Sequence, residues 1–223
     1  MELTVAMPCY NEVDNIPHLA TELVPAVRKL SNDFEILVVD DGSTDGTADA
    51  CERLGIPEIR VVRHAKNQGL GAGVRTAFAE ARGDLLVTMD ADLTFSPADI
   101  GKLLERYKQG DVDFIIGSHG LAGYAADIPR WRVMISQAAN VFYSLLAGRR
   151  VRGVSSLFRL YRTDIVRGLP VRTSGFETPV EIFFLLVQRG FRFVEVPTAL
   201  GNRRFGVSKL NYKREIKRHA RLV

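Results

Sequence analysis

The stretch Leu85-Leu86-Val87-Thr88-Met89-Asp90-Ala91-Asp92-Leu93 constrains the fold of this chain more than any other. Five apolar or β-branched residues in a row, introduced by Gly83-Asp84, predict a strand buried on both faces, and such strands belong to mostly parallel sheets. Two carboxylates stand where it emerges. On an extended chain, residues two apart point the same way, so Asp90 and Asp92 are expected to face one point. Like charges held that close repel unless a cation lies between them. A hard divalent ion, Mg²⁺ or Mn²⁺, suits oxygen ligands and keeps positions open for substrate phosphates. The other reading is that both acids cap the next helix. Ser96-Pro97-Ala98-Asp99 already offers an N-cap, a proline at the first helical position and an acid in the first turn. Capping therefore leaves Asp90 and Asp92 unexplained.

The flanking sequence repeats the same pattern. Thr4–Met7 and Glu35–Val39 are expected strands, the second ending in Asp40-Asp41, and Ile59–Val62 and Phe114–Ile116 follow. Between them lie expected helices from Pro17 to Leu30 (capped by Asp14 or Asn15, with Leu19, Leu23, Val27 and Leu30 inward), from the 42–47 turn to Gly55, from Gly69 to near Gly83, and from Pro97 to Gln109. Strands alternating with helices of this length predict βαβ units with a sheet covered on both faces, and ligands beyond the carboxyl ends of its strands. Asp40, Asp41, Asp90 and Asp92 all fall at that edge. Neither a strand-following GxGxxG nor a GxxxxGK[ST] is present, so dinucleotide and P-loop readings lack their fingerprint.

The second half predicts a helix from Arg130 to Leu146, with Trp131, Met134, Ile135, Ala138, Val141, Phe142 and Leu145 on an apolar face. A strand at Leu157–Tyr161, a helix from Pro179 to Arg189 and a strand at Phe193–Val196 follow, then a basic loop from Gly201 to Lys209 and a cationic helix from Asn211. At 223 residues and 46% hydrophobic content the chain is expected to form one domain. The net charge of +4 hides an asymmetry: residues 1–122 hold 11 Lys+Arg against 20 Asp+Glu, or −9, and residues 123–223 hold 19 against 6, or +13. An acidic front half thus joins a basic rear half suited to an anionic partner. No apolar run approaches the ~18 residues of a membrane span, and Cys9 and Cys51 have neither CxxC spacing nor histidine partners. The expectation is a chain in a reducing cytoplasm, free or at a membrane surface.

With those residues set out, the chain resembles family 2 of the glycosyltransferases, and within it the polyprenyl-phosphate sugar transferases typified by dolichyl-phosphate mannose synthase. The matching segments are Met7–Glu12, Val39–Thr47, Asn67–Gly71, Met89–Leu93, Ile135-Ser136 with Ala139-Asn140, Val194–Pro197 and Phe205–Leu210. The resemblance implies an α/β, GT-A-type nucleotide-diphospho-sugar fold. It implies that Pro8, Tyr10, Glu12 and Asp40, with Asp41 beside them, serve the nucleoside and that Asp90 and Asp92 hold the metal. Arg132, Ser136, Arg203 and Lys209 are implied to reach phosphate groups. The implied partners are a nucleoside-diphosphate sugar, GDP-mannose or a UDP-sugar, and a polyprenyl or dolichyl phosphate met at the cytoplasmic face of the membrane. The sequence departs from the branch at Gly153–Phe158, where an acid and a glycine are usual, at His119 in place of arginine, and at Leu93 in place of glutamine.

The acceptor decides the remaining chemistry. A phosphate monoester is already an anion at neutral pH and needs cations, whereas a hydroxyl needs a base, for which Glu177 is the candidate. Two further readings differ in class. A nucleic-acid-binding module calls for aromatics interleaved with the cations, and the tail offers only Phe205 and Tyr212, so no nucleic-acid partner is expected. A silent nucleotide-sugar sensor would bind donor and metal without turnover.

Overall fold

The computed structural model describes residues 1–122 and 130–201, and for residues 130–133 and 135–137 the backbone alone. Its strands are β1 (Leu3–Cys9), β2 (Phe34–Asp40), β3 (Ile59–Arg63), β4 (Leu85–Thr88), β5 (Phe114–Ser118), β6 (Arg159–Arg162) and β7 (Phe193–Pro197). They form one seven-stranded sheet in the order β3-β2-β1-β4-β6-β5-β7. β3, β2, β1 and β4 pair in parallel, β6 runs antiparallel to both β4 and β5, and β5 pairs in parallel with β7. Thus β6, from the basic half, is inserted between two strands of the acidic half.

The continuous apolar runs predicted to be strands are buried, all of β2 and all of β1 but Pro8, because both sheet faces are covered. Leu3, Val5 and Met7 point into a core with Leu19, Leu23, Cys51 and Leu103. Ala6, Leu37 and Val39 point the other way, against Phe78, Tyr143, Val180 and Phe183. The helices on the first side are α1 (Ile16–His18), α2 (Val24–Arg28), α3 (Thr47–Arg53) and α5 (Asp99–Tyr107). Those on the second are α4 (Leu70–Glu80), α7 (Arg130–Leu146), α8 (Thr163–Val166) and α9 (Thr178–Gln188), with the short α6 (His119–Ala122) following β5.

Several helix details differ from the sequence reading. The segment from Ile16 to Arg28 is not one regular helix: a π turn at Leu19–Leu23 separates α1 from α2. Neither Asp14 nor Asn15 caps it through its side chain; Asn15 instead donates Nδ2–H to Glu12 Oε2 at 2.6 Å. Leu19, Leu23 and Val27 are buried as expected, whereas Leu30, past the helix end, is exposed. α5 starts two residues later than Pro97, after a turn closed by the Asp99 N–H to the Ser96 carbonyl at 2.9 Å.

A buried carboxylate locks the amino-terminal edge of the sheet. Glu35 accepts from Thr4 Oγ1 (2.8 Å), Arg60 Nε (2.9 Å) and the Arg82 N–H (2.9 Å). Burial alone would push its carboxyl up, but those hydrogen bonds and the Arg60 charge outweigh it and hold the pKa below the ordinary glutamate value. A depressed folded-state pKa contributes stability above the unfolded value, about 4.3, and that contribution is lost as pH falls through the lower folded value. Thermal unfolding between pH 7 and pH 3 is expected to show this loss in the wild type, and Glu35→Gln is expected to flatten the acid limb while lowering the melting temperature at pH 7.

Candidate active site

Loops leaving the carboxyl ends of the neighbouring strands β1, β2 and β4 carry the acids that the sequence singled out. The loop after β1 is laced to the turn after β2. The Asn11 N–H donates to Ser43 Oγ (2.8 Å), Asn11 Oδ1 accepts from the Thr44 N–H (2.9 Å), and the Glu12 N–H donates to Thr47 Oγ1 (2.9 Å). Asn11 adopts φ +52°, a left-handed conformation that asparagine tolerates. Asp45 closes the lacing by accepting from the Val13 N–H at 3.1 Å. Partial burial pushes the Asp45 carboxyl up, but the Thr47 hydroxyl and the N–H groups of Val13 and Thr47 prevail and hold it below its ordinary value. Tyr10 and Glu12 are thereby held half-exposed beside the buried Asp40.

Asp41, expected beside the nucleoside contacts, is engaged within the protein. Its buried carboxylate accepts from the N–H groups of Gln68 (3.0 Å) and Gly69 (2.7 Å) and from His64 Nδ1 (2.7 Å). His64 Nε2 in turn lies 2.8 Å from Thr76 Oγ1, so the tautomer satisfying both partners carries its proton on Nδ1. Asp41 therefore fixes the loop between β3 and α4. Close packing fixes the other side of that loop: a Cβ at Gly42 would meet the Lys66 carbonyl carbon at 2.4 Å, and one at Gly71 would meet the Thr173 oxygen at 2.0 Å. The glycines that fail a dinucleotide fingerprint are thus needed for close approach of backbone to backbone.

β4 ends at Thr88, and Asp90 and Asp92 lie on a turn rather than on an extended continuation of the strand. The Leu93 N–H donates to the Asp90 carbonyl (3.3 Å), Asp92 Oδ1 accepts from the Thr94 N–H (3.1 Å), and Leu93 sits at φ +50°. A left-handed leucine stores strain, which structures retain where a turn must aim its side chains. The argument from strand alternation is therefore replaced by one from the turn. Convergence of charge shows independently at Cys9: burial first, then Cys51 and the carboxylates of Glu12, Asp40 and Asp90, push its thiol well up. Acids from all three loops are within electrostatic reach of one point.

Among the described residues no three His, Cys, Asp or Glu side chains gather as a metal cluster. Asp90 and Asp92 supply hard oxygen donors only. That set fits a Mg²⁺ or Mn²⁺ ion that would complete its coordination with water and diphosphate oxygens, and does not fit a softer metal held in a closed protein cage.

On the far side of the sheet edge, Arg159 is fully buried and went unnoticed in the sequence reading. Its Nη1 donates to the Pro179 carbonyl at 2.8 Å and its Nη2 to the Val154 carbonyl, tying the 153–158 loop to the first turn of α9. Glu195 accepts from the N–H groups of Arg152 (3.0 Å) and Gly153 (2.5 Å). A Cβ at Gly153 would meet Ser118 Oγ at 2.9 Å and Glu195 Oε1 at 3.1 Å. The acid missing from position 153 is thus matched by a carboxylate arriving from β7. Burial lowers the His119 pKa, so it is neutral at pH 7 and does not replace an arginine's charge. Glu177 is buried at the start of α9, with Oε1 accepting from the Gly175 N–H at 3.2 Å and Oε2 without a hydrogen-bond partner. Arg132 and Ser136 lie on the first two turns of α7, where only the backbone is described, and Arg203 and Lys209 lie outside the described residues.

The chain matches the family model "Glycosyl transferase family 2" over residues 4–169. It belongs to that family. It is 36% identical over 219 residues to the dolichol-phosphate mannosyltransferase of Pyrococcus furiosus, covering 96% of this chain and 60% of that protein. It is 30% identical over 220 residues to the undecaprenyl-phosphate mannosyltransferase of Micrococcus luteus, with 95% and 88% covered. To the polyprenol monophosphomannose synthase of Mycolicibacterium smegmatis it is 31% identical over 217 residues, with 93% and 80% covered. This family 2 chain thus spans well under two thirds of the archaeal relative and most of the two bacterial ones. Among solved structures it is similar to glucosyl-3-phosphoglycerate synthase from Mycobacterium tuberculosis in complex with Mn²⁺, UDP and phosphoglyceric acid. The TM-score is 0.73 at 20% identity, covering 99% of this chain and 75% of that one. The fold is accordingly the GT-A type expected from the sequence.

Asp41→Ala in this family 2 chain removes the shared acceptor of two backbone N–H groups and an imidazole. It is expected to cost about 3 kcal/mol of unfolding free energy, measured by urea titration.

Proposed function

We propose that the chain transfers a hexose from a nucleoside-diphosphate sugar to a polyprenyl phosphate by direct displacement, with mannose from GDP-mannose as the first donor to test. One observation carries the proposal: three relatives named for mannosyl transfer involving a polyprenol or its phosphate match over 93–96% of this chain. Pro8 near the end of β1, Tyr10 and Glu12 on the loop that follows it and Asp40 at the end of β2 stand where the nucleoside is proposed to sit, and Asp41 holds the adjoining loop in place.

The divalent ion proposed at Asp90 and Asp92 would stabilise the negative charge that grows on the departing diphosphate. The acceptor phosphate needs no base, because its second pKa lies near ~6. Its oxygen attacks the anomeric carbon as the bond from that carbon to the diphosphate oxygen breaks, and the nucleoside diphosphate leaves. Arg132, Ser136, Arg203 and Lys209 are proposed to hold the acceptor phosphate, with guanidinium forks suited to bidentate contact. No helix among the described residues is long and apolar enough to cross a membrane. Access to a lipid acceptor is proposed through peripheral contact at the cytoplasmic face, made by the exposed side of α7.

A hydroxyl acceptor is the second reading, favoured by one feature: Glu177 keeps an oxygen without a hydrogen-bond partner in a buried position. Radiolabelled sugar from GDP- and UDP-sugars, offered with polyprenyl phosphate and with Mg²⁺ or Mn²⁺, separates the two. The expected result is label in the organic phase, abolished by EDTA and reduced at least about 100-fold in Asp92→Asn, whose melting temperature should stay close to that of the wild type. Label that stays in water-soluble product and is lost in Glu177→Gln would favour the hydroxyl acceptor.

A further inference from the structure

α7 is anchored by one face and turns an apolar stripe to solvent. Tyr143 is buried against Phe184, Asn140 Nδ2 donates to the Arg152 carbonyl (2.8 Å), and Ser144 Oγ accepts from the Val151 N–H (2.9 Å). Met134, Ala138, Val141 and Leu145, at helical spacing on the other side, are exposed, as are Phe142 and Leu146. Of the nine large hydrophobic side chains exposed among the described residues, five lie on this helix. Beside the stripe opens a cavity of about 700 Å³, lined by Val141 and Leu145 and by Arg149, Arg150 and Arg152. Among the described residues, no carboxylate side chain lines it.

We propose that this cavity binds the headgroup phosphate of an anionic phospholipid, with the acyl chains lying along the exposed stripe of α7. The inference rests on the proposed peripheral membrane contact and names the lipid that the contact selects. Three arginines, with no carboxylate side chain among the lining residues described, favour a phosphate anion, and guanidinium forks match its oxygens. The groups are also held in place: the Arg149 guanidinium carbon stacks 4.1 Å from the Phe193 ring centroid, and the backbone of Arg152 is fixed by Glu195. The apolar stripe decides between lipid and free phosphate, because a soluble anion would leave it uncovered, whereas an amphipathic face flanked by cations is the form that interfacial helices take. Arg149 stacks on the edge strand β7 and the Arg152 N–H bonds to it, and β6 and β5 lie between that strand and β4, whose turn carries Asp90 and Asp92.

The test is co-sedimentation of the 223-residue chain with vesicles of phosphatidylcholine alone and of phosphatidylcholine mixed with phosphatidylglycerol, without polyprenyl phosphate. Each arginine near an anionic surface is worth about fivefold in partitioning. The wild type is expected to bind the mixed vesicles at least about 100-fold more tightly than the neutral ones. R150Q, at an exposed side chain that the fold does not use, should lose about fivefold on mixed vesicles only. R149Q/R150Q/R152Q should lose about 100-fold there and little on neutral vesicles. Equal binding of the wild type to both vesicles, or a preference that survives all three substitutions, overturns the proposal. Transfer to detergent-dispersed polyprenyl phosphate should be unchanged in R150Q. A loss there equal to the loss on vesicles would assign the arginines to the acceptor site and overturn the separate lipid site. Absence of transfer by the wild type would sink the proposed function while leaving the vesicle comparison intact.

Discussion

Carboxylates placed at the carboxyl ends of adjacent parallel strands repel one another, and the organisation of this molecule follows from how each repulsion is relieved. Asp41 and Asp45 are relieved from within, by backbone N–H groups, an imidazole and a hydroxyl. Those bonds do more than neutralise charge. They fix the loop that presents Tyr10 and Glu12 beside Asp40, so the rigidity of this edge is bought with its own acids. Asp90 and Asp92 sit on a turn that carries a left-handed leucine, with Asp92 Oδ1 accepting from the Thr94 N–H. On the proposed reading the cation that relieves them is also the one that stabilises the leaving diphosphate.

The basic half is organised by the reverse problem. Arg159 is a cation buried in the sheet, and two main-chain carbonyls receive its guanidinium. Removing it from water is costly unless those acceptors stay in place, so it joins the 153–158 loop to the start of α9 more firmly than apolar packing alone would. Glu195 does the same for the 152–153 backbone from the neighbouring edge strand. The two halves of the chain meet through β6, which pairs with β4 on one side and β5 on the other. A shift in the Arg159 contacts therefore bears directly on the strand that leads to Asp90.

How much of this was legible in the sequence depends on how local each cause is. The strands were legible because unbroken runs such as Ile36–Val39 admit one reading when both faces are covered. Helix ends were less so: Leu30 fits the inward periodicity of the preceding helix, but the chain has already left the helix where it falls. The acids at Asp90 and Asp92 were found by type and position, while their geometry was misjudged, since a left-handed leucine after an acidic pair carries no sequence signal. The protein partners of Asp41, namely His64, Gln68 and Gly69, were not legible, because only the parallel pairing of β2 with β3 brings them to it. Arg159 could not have been read as buried at all, since its acceptors are main-chain carbonyls that any sequence supplies.

α7 shows the same limit in its most consequential form. Its periodicity announces an apolar face, and periodicity alone says nothing of what covers that face. The polar ladder of Asn140 and Ser144, together with Tyr143, decides the matter by docking the opposite side of the helix on the protein. Once that side is anchored, rotating the helix to bury Val141 and Leu145 would break the Asn140 and Ser144 hydrogen bonds to the 151–152 backbone. It would also carry Tyr143 out of its contact with Phe184. The outward apolar stripe is therefore held in place by the fold rather than left over from it, and three arginines at its end are a costly way to finish a surface that meets only water.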